Sequence, residues 1–361
     1  MLGTLHMHNF RGFDTYKLTD LSSVNLLVGK NNSGKTSILE AIHFLVSKGD
    51  PFVLIRSANR RGEINYASER YQQGGPDISH CFYNHRLEPG KGFLLSSDEF
   101  GYVSAQIHLA DIENQSALFD DDDIDQSYPL VLQMEGNTLK LPPLPVTESG
   151  SLSTRHLGFR RPWSETGTPP PPVQFVTPES LDLDPMREMW DRVLTEGREA
   201  EVIAAMRILE SNLESIHFLT SDASRTRSGR AGALLGFQGG GRRIPLGSFG
   251  DGMRRLLTLS LSLIQTGRGV LLVDEIDTGL HWTVMEEMWR MVIETARRNS
   301  VQVFATTHSY DCLRGLASLV ESRPDLVEHV STQKIERALE KAVHFDATDI
   351  QAAIEQNIEV R

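Results

Sequence analysis

Short apolar runs closed by glycine or polar clusters alternate along this chain with longer segments of helical period, and that alternation predicts a sheet of buried strands covered by helices. Residues 24–28, 270–273 and 301–306 are such runs. Between the first of them and the middle of the chain, residues 35–46 set Ile38, Ile42 and Leu45 on one side with Leu39 and Val46 beside them, the pattern of a helix packed under a sheet. A second apolar helix covers 253–265, and Gly269 closes it before the next strand. Residues 2–8 read as an opening strand. Turn signals at Gly74-Gly75-Pro76 and Pro89-Gly90, with runs at 92–95 and 102–109, predict an antiparallel β segment over 50–111 that attaches to the main sheet. Met189 and Val193, then Val202, Ala205, Leu209 and Leu213, give helical spacing to 184–196 and 198–215 on either side of Gly197, hence an αα-hairpin. A β-hairpin over 233–237 and 243–246 leads into Ser248, and a helix near 310–319, a strand near 333–335 and a helix over 347–356 finish the chain.

Chemistry collects at the ends of these runs. Gly29-Lys30-Asn31-Asn32-Ser33-Gly34-Lys35-Thr36 fits G-x-x-x-x-G-K-[ST] and lies between a strand and a helix, the context a phosphate loop requires; Ser37 continues the helix. Its backbone N–H groups and the helix N-terminus would point positive charge at phosphates, with Lys35 at the β- and γ-phosphates and Thr36 on Mg²⁺. The run 270–273 delivers Asp274 and Glu275 to the carboxyl end of the sheet, where ligands gather in α/β folds. Strand alternation would send them to opposite faces, Asp274 to Mg²⁺ beside Thr36 and Glu275 toward a water. The run 301–306 ends at Thr307-His308-Ser309, from which His308 can reach a terminal phosphate.

Bulk properties narrow the picture. The 361 residues carry a formal net charge of −12, against a surface built to coat nucleic acid. Arg225, Arg227, Arg230, Arg242 and Arg243 fall in an acid-free stretch that suits either phosphate contact or a solvated hairpin. No apolar run is long enough to cross a bilayer and the start lacks a secretion signal, so a cytoplasmic protein with no membrane partner is expected. Cys81 and Cys312, far apart, read as small buried hydrophobes. The acidic run from Asp120 to Asp123 reads as a solvated loop, and the proline-rich stretches at 141–145 and 168–172 mark 111–180 as an extended, partly mobile insertion.

Taken together, residues 29–36, Ser248-Phe249-Gly250-Asp251-Gly252, the 270–275 run, Asp277 and His308 resemble the ATPase head of the ABC superfamily in its SMC, RecF and OLD-like branch. The resemblance covers nearly the whole chain outside the proline-rich stretch. It implies a P-loop NTPase of ABC-head type, with a mixed central sheet, an antiparallel β subdomain and a short helical hairpin where SMC proteins carry a coiled coil. The corresponding divisions are 1–110 and 223–361 for the two ATPase lobes, 111–180 for the insertion and 181–222 for the hairpin.

By the same resemblance the ligands are ATP and Mg²⁺, and two copies bind head to tail so that Ser248 and Gly250 of one face the γ-phosphate on the other. Asp277 would lie at the seam, Arg11 of Asn9-Phe10-Arg11-Gly12-Phe13 near nucleotide, and Gln106 is the candidate for the family's glutamine loop. Glu275, His308 and Lys35 would be the catalytic groups of an ATP hydrolase. OLD-like nucleases continue into a Toprim domain, but only about fifty residues follow His308. The implied role is therefore an ATPase controlling a separate effector, a nuclease or toxin, as in anti-phage defence, with assembly beyond the dimer left open. The alternative is a RecF-like repair ATPase on duplex DNA.

Overall fold

The computed structural model describes residues 1–65, 75–110, 128–137, 139–153, 168–179, 181–219 and 232–356. β1 (Leu5–Phe10) and β2 (Phe13–Leu18) form a hairpin in which Met7 faces Tyr16. β3 (Val24–Val28), buried at every position, leads into α1 (Lys35–Val46), with the bounds the apolar pattern predicts. Next comes α2 (Pro51–Arg61), where strand and turn were expected. Its termini carry clear signals: Asp50 accepts from the Phe52 N–H at 3.0 Å, Pro51 opens the first turn, and Gly62 closes the helix at a left-handed φ of 69°.

β4 (Ile64–Asn65) and β5 (Gly75–Pro76) make a small ladder. β6 (Gly92–Ser97), β7 (Gly101–Leu109), β8 (Leu130–Gly136), β9 (Leu139–Lys140) and β10 (Leu144–Val146) then extend the β1–β2 hairpin into one antiparallel sheet, ordered β10-β8-β7-β6-β1-β2 with β9 beside β8. Within the stretch expected to be an insertion, the described strands β8, β9 and β10 thus belong to this sheet. Leu130, Leu132 and Met134 alternate inward along β8, and β11 (Val173–Val176) pairs in parallel with the strand that carries Asp274. The run from Asp120 to Asp123 lies outside the described residues, as do Arg225, Arg227 and Arg230.

α3 (Leu183–Thr195) and α4 (Glu199–Met206) form the helical hairpin about Gly197, but the second helix ends nine residues earlier than the expected Ser215. β12 (Leu213–Leu219) begins there instead and pairs with β13 (Gly232–Phe237). A bulge between Leu213 and Ser215 shifts the register, and Leu213 and Ile216, three residues apart as on a helix, are both buried in this strand. β14 (Ile244–Pro245) completes the expected hairpin with β13. α5 (Gly250–Thr266), β15 (Val270–Val273), α6 (Met285–Asn299), β16 (Gln302–Thr307), α7 (Tyr310–Ser322), β17 (Val330–Lys334), β18 (Val343–Phe345) and α8 (Ala347–Glu355) follow.

The central sheet runs β11-β15-β16-β3-β17-β18, parallel except for β18, which gives the mixed sheet expected of an ABC-type head. Its strands feed two cores. Leu26, Leu271, Val273 and Val303 point toward α3 to α8, whereas Leu27, Leu272 and Phe304 point toward α1, α2 and the antiparallel sheet. Burial on both faces explains the unbroken apolar runs. Among the described residues no helix is long and apolar enough to cross a membrane.

His43 on α1 packs beside Phe175 of β11, with ring centroids 6.2 Å apart, and is buried. Burial, with Arg56 and Arg60 adding to it, pushes its pKa down from 6.5 to about 3. An unfolded chain takes up this proton near pH 6.5 while the folded chain refuses it until about 3. This stabilisation is complete above the upper value and is lost as pH falls toward the lower one. His43→Leu should flatten the fall in unfolding midpoint between about pH 6.5 and 4.5, read in urea titrations. A slope equal to wild type would contradict the assignment.

Candidate functional site

The phosphate loop links the carboxyl end of β3 to α1 and depends on two glycines. Gly29 has φ 147°, and a Cβ there would lie 2.7 Å from the Ile335 carbonyl; Gly34 has φ 100°, and a Cβ would overlap the Phe13 ring. No side chain caps the N-terminus of α1 and no acidic residue occupies its first turn, so its free N–H groups suit an anion. Ser33 Oγ is buried in the loop without a partner. Lys35 turns its ammonium onto the loop, donating to the carbonyls of Gly29 at 2.6 Å and Lys30 at 2.9 Å. Burial pushes its pKa below the ordinary lysine value, and Asp274 and Glu275 act against that shift. A loop with free amides, an orphaned hydroxyl and a partly desolvated lysine fits a polyphosphate.

β15 brings in the carboxylates from a point more than two hundred residues away. Thr36 Oγ1 donates to Asp274 Oδ2 at 2.9 Å, and Thr306 Oγ1 donates to Asp274 Oδ1 at 2.6 Å. Thr306 Oγ1 also accepts the Glu275 N–H at 2.8 Å. Hydroxyl and carboxylate oxygens in contact are the hard donors Mg²⁺ takes, so Thr36 and Asp274 fit that ion. The two carboxylates diverge, as expected, but not by strand alternation. β15 stops at Val273, and Glu275 adopts a left-handed φ of 47°, which turns its side chain out while Asp274 stays buried. Glu275 Oε1 lies 3.5 Å from His308 Nδ1. Asp277 accepts from Thr307 Oγ1 at 2.6 Å, which fixes the turn after Glu275 to the end of β16.

Sequence reading missed Arg255, although it holds this end of the sheet together. It sits on α5, fully buried, and donates to the carbonyls of Thr177 at 2.5 Å, Asp274 at 2.9 Å and Glu275 at 2.8 Å. Burial lowers its pKa, and Asp277, Asp274 and Glu275 counter that. An arginine in a leucine-rich helix was the available signal, since a buried guanidinium requires several acceptors. Thr306 and Thr307 were equally visible as polar ends to a buried strand.

Other expected residues lie elsewhere. Arg11 does not reach the phosphate loop with a free guanidinium: it is buried against Glu40 at 2.6 Å and Glu63 at 2.9 Å, and donates to Ser57 Oγ at 3.1 Å. Glu40, held by Arg60 and Arg61 as well, needs these cations to remain ionised inside the protein. Burial raises its pKa, but Arg11 and Arg61 prevail and keep it below the ordinary value. Gln106 lies exposed on β7, opposite Gly92 in the antiparallel sheet. The loop leaving β11 beside β15 brings the Thr177 carbonyl to Arg255. Ser248 and Gly250 are exposed at the N-terminus of α5, which has no side-chain cap; Gly250 has φ 80° and open space around it. Asn31 and Asn32 are exposed on the loop, and Ser37 is buried at the start of α1.

Comparison with known proteins agrees with this architecture. Residues 98–313 match the family described as "AAA domain, putative AbiEii toxin, Type IV TA system", and residues 1–135 match the AAA ATPase domain. An ATP/GTP phosphatase of Helicobacter pylori is 20% identical over 351 residues, covering 90% of this chain and 89% of the relative. The DNA replication and repair protein RecF of Xanthomonas oryzae pv. oryzae is 49% identical over 74 residues, only 20% of this chain and 17% of that protein. Among solved structures, an SMC head bound to the C-winged helix domain of ScpA has the same fold, with a TM-score of 0.50 at 14% identity over 96% of this chain and 98% of that one. The chain belongs to the AAA domain family of the AbiEii type, and its fold is that of an SMC- and RecF-like ABC-type ATPase head.

Proposed function

We propose that the protein hydrolyses ATP between two copies of itself bound head to tail, and that opening and closing of this dimer controls a separate effector. The observation that carries the reading is the division of the site: Thr36, Asp274, Glu275 and His308 converge in one chain, while Ser248 and Gly250 stand exposed at an uncapped helix end. Such an end, although Asp251 lies in its first turn, offers free N–H groups to an anion presented by another molecule. The phosphatase name of the Helicobacter relative supports nucleotide turnover, and the toxin–antitoxin description of the matched family supports a role in such a system.

In this reading Lys35, Ser33 and the loop amides hold the phosphates. Thr36 and Asp274 would hold Mg²⁺, which when bound would supply charge that neutralises the triphosphate. Glu275 takes the proton of the attacking water as its oxygen bonds to the γ-phosphorus and the bond to the β–γ bridging oxygen breaks. His308, 3.5 Å from Glu275, would donate to a γ-phosphate oxygen, and Asp277 would lie at the seam between copies. Arg255 acts by position, clamping the carbonyls that bracket Glu275. A RecF-like role on duplex DNA is the second reading; the local identity to RecF favours it, and Arg242 and Arg243 lie exposed. Salt-sensitive DNA binding in the presence of a non-hydrolysable ATP analogue would select it.

Glu275→Gln should bind ATP normally, lose turnover by about a hundred- to ten-thousand-fold, and elute as a dimer with ATP. Unchanged turnover would remove Glu275 from the mechanism. Lys35→Ala should abolish nucleotide binding in calorimetry, and a normal affinity there would count against the loop assignment. Arg255→Met leaves three carbonyls without their donor and should cost about 1.5–3 kcal/mol or more in denaturant unfolding, with turnover reduced while ATP is still bound. Full activity in that variant would show that the clamp has no part in placing Glu275.

A further inference from the structure

A cavity of about 480 Å³ opens beside the phosphate loop, walled by residues 29–33 on one side and 334–338 on the other. The sheet order places it. β3 is flanked by β16 on the side of the carboxylates and by β17 on the opposite side, and the chain leaving β17 folds over the loop. Contact between these walls is direct: the Ile335 N–H donates to the Val28 carbonyl at 2.8 Å, and the Ile335 carbonyl closes over Gly29. With terminal phosphates drawn toward Thr36 and Asp274, this cavity gives the rest of the molecule room along the loop, toward residues 334–338.

The charges in this wall are uneven. Lys334 and Glu336 neutralise each other at 3.1 Å. Arg337 is exposed and, among the described residues, pairs with no carboxylate; it donates only to Asn32 Oδ1, at 3.4 Å, with its guanidinium 5.9 Å from the Phe13 ring centroid. It is thus a planar cation at the mouth of a cavity of ligand-binding size, tethered loosely to the loop that would carry the phosphates.

We propose that this cavity takes the nucleoside of the triphosphate and that Arg337 lies over the base as a specificity-determining residue that selects for a base without distinguishing purines. The proposal rests on the phosphate-loop reading above. A guanidinium plane stacks on the face of any base, and stacking carries no information about the base edge. On the wall away from the phosphate loop Glu336 is engaged by Lys334, and Asn32 is engaged by Arg337, whereas Lys30, Asn31 and Ser33 belong to the loop that would carry the phosphates. ATP and GTP should therefore bind alike, and inorganic tripolyphosphate should bind without any help from Arg337.

Calorimetric titration of the full chain with ATP, GTP and tripolyphosphate, each with Mg²⁺, tests this. Wild type should bind ATP and GTP within about threefold of each other, Arg337→Ala should weaken both by about tenfold, and its affinity for tripolyphosphate should stay within about twofold of wild type. Arg337→Lys keeps the charge but not the plane and should recover little. Equal loss for tripolyphosphate would make Arg337 a phosphate ligand and overturn the proposal. Unchanged ATP affinity in Arg337→Ala, or a wild-type preference above about tenfold between ATP and GTP, would overturn it too. Tripolyphosphate binding by Lys35→Ala reports separately on the phosphate loop, so failure of that reading is distinguishable from failure of this one.

Discussion

The carboxylate of Asp274 is the point on which the site depends, because two hydroxyls from different elements meet on it. Thr36 opens the helix after the phosphate loop and Thr306 ends a neighbouring strand, and both donate to it. The first contact joins residues 238 positions apart, so the N-terminal and C-terminal parts of the chain are bound together at the place where a phosphate would sit. A buried carboxylate tolerates this position only because its oxygens are satisfied. Thr306 uses its oxygen a second time, as acceptor for the Glu275 N–H, so the positions of the two acidic residues are coupled through one hydroxyl.

Two buried cations organise the flanks in different ways. Arg11 belongs to an ionic group in which three arginines, Arg11, Arg60 and Arg61, surround Glu40 and Glu63, and which ties the β1–β2 turn to α1 and α2. Removing one partner there would leave an unpaired charge in the interior, so the group is rigid by necessity. Arg255 has carbonyl oxygens instead of a carboxylate as its direct acceptors. Its charge is balanced at longer range by Asp274, Asp277 and Glu275, the same residues that would face phosphate and metal.

Much of this was legible because the relevant physics is local. A phosphate loop must have glycine where φ is positive, and a strand buried on both faces must be apolar throughout; β3, α1, β15 and β16 could be read from those requirements alone. What escaped notice depended on tertiary partners. Arg11 looks like any basic residue beside a phosphate loop until Glu40 and Glu63 close on it. The bulge at Leu213 gave a strand the spacing of a helix, and β11 shows its role only when paired with β15. The helix α2 was a different kind of miss, since Asp50, Pro51 and Gly62 marked both ends and were outweighed by the turns downstream.

The arrangement of α5 carries the proposed mechanism one step further. Its N-terminus, with Ser248 and Gly250, is exposed, whereas Arg255 lies a little over one turn along and grips the backbone of Asp274 and Glu275. In a head-to-tail dimer the exposed end would meet the triphosphate held by the other copy, so a pull on the helix is transmitted to the base of its own site. Glu275 would feel such a pull, since its left-handed backbone is flanked by hydrogen bonds to its N–H and its carbonyl. Two copies that each carry a net charge of −12 would repel one another, and in the proposed dimer the helix ends facing bound phosphate would work against this repulsion. Each bound triphosphate would thereby both draw the copies together and set the base across the interface, which makes the two sites act as a pair rather than as independent halves.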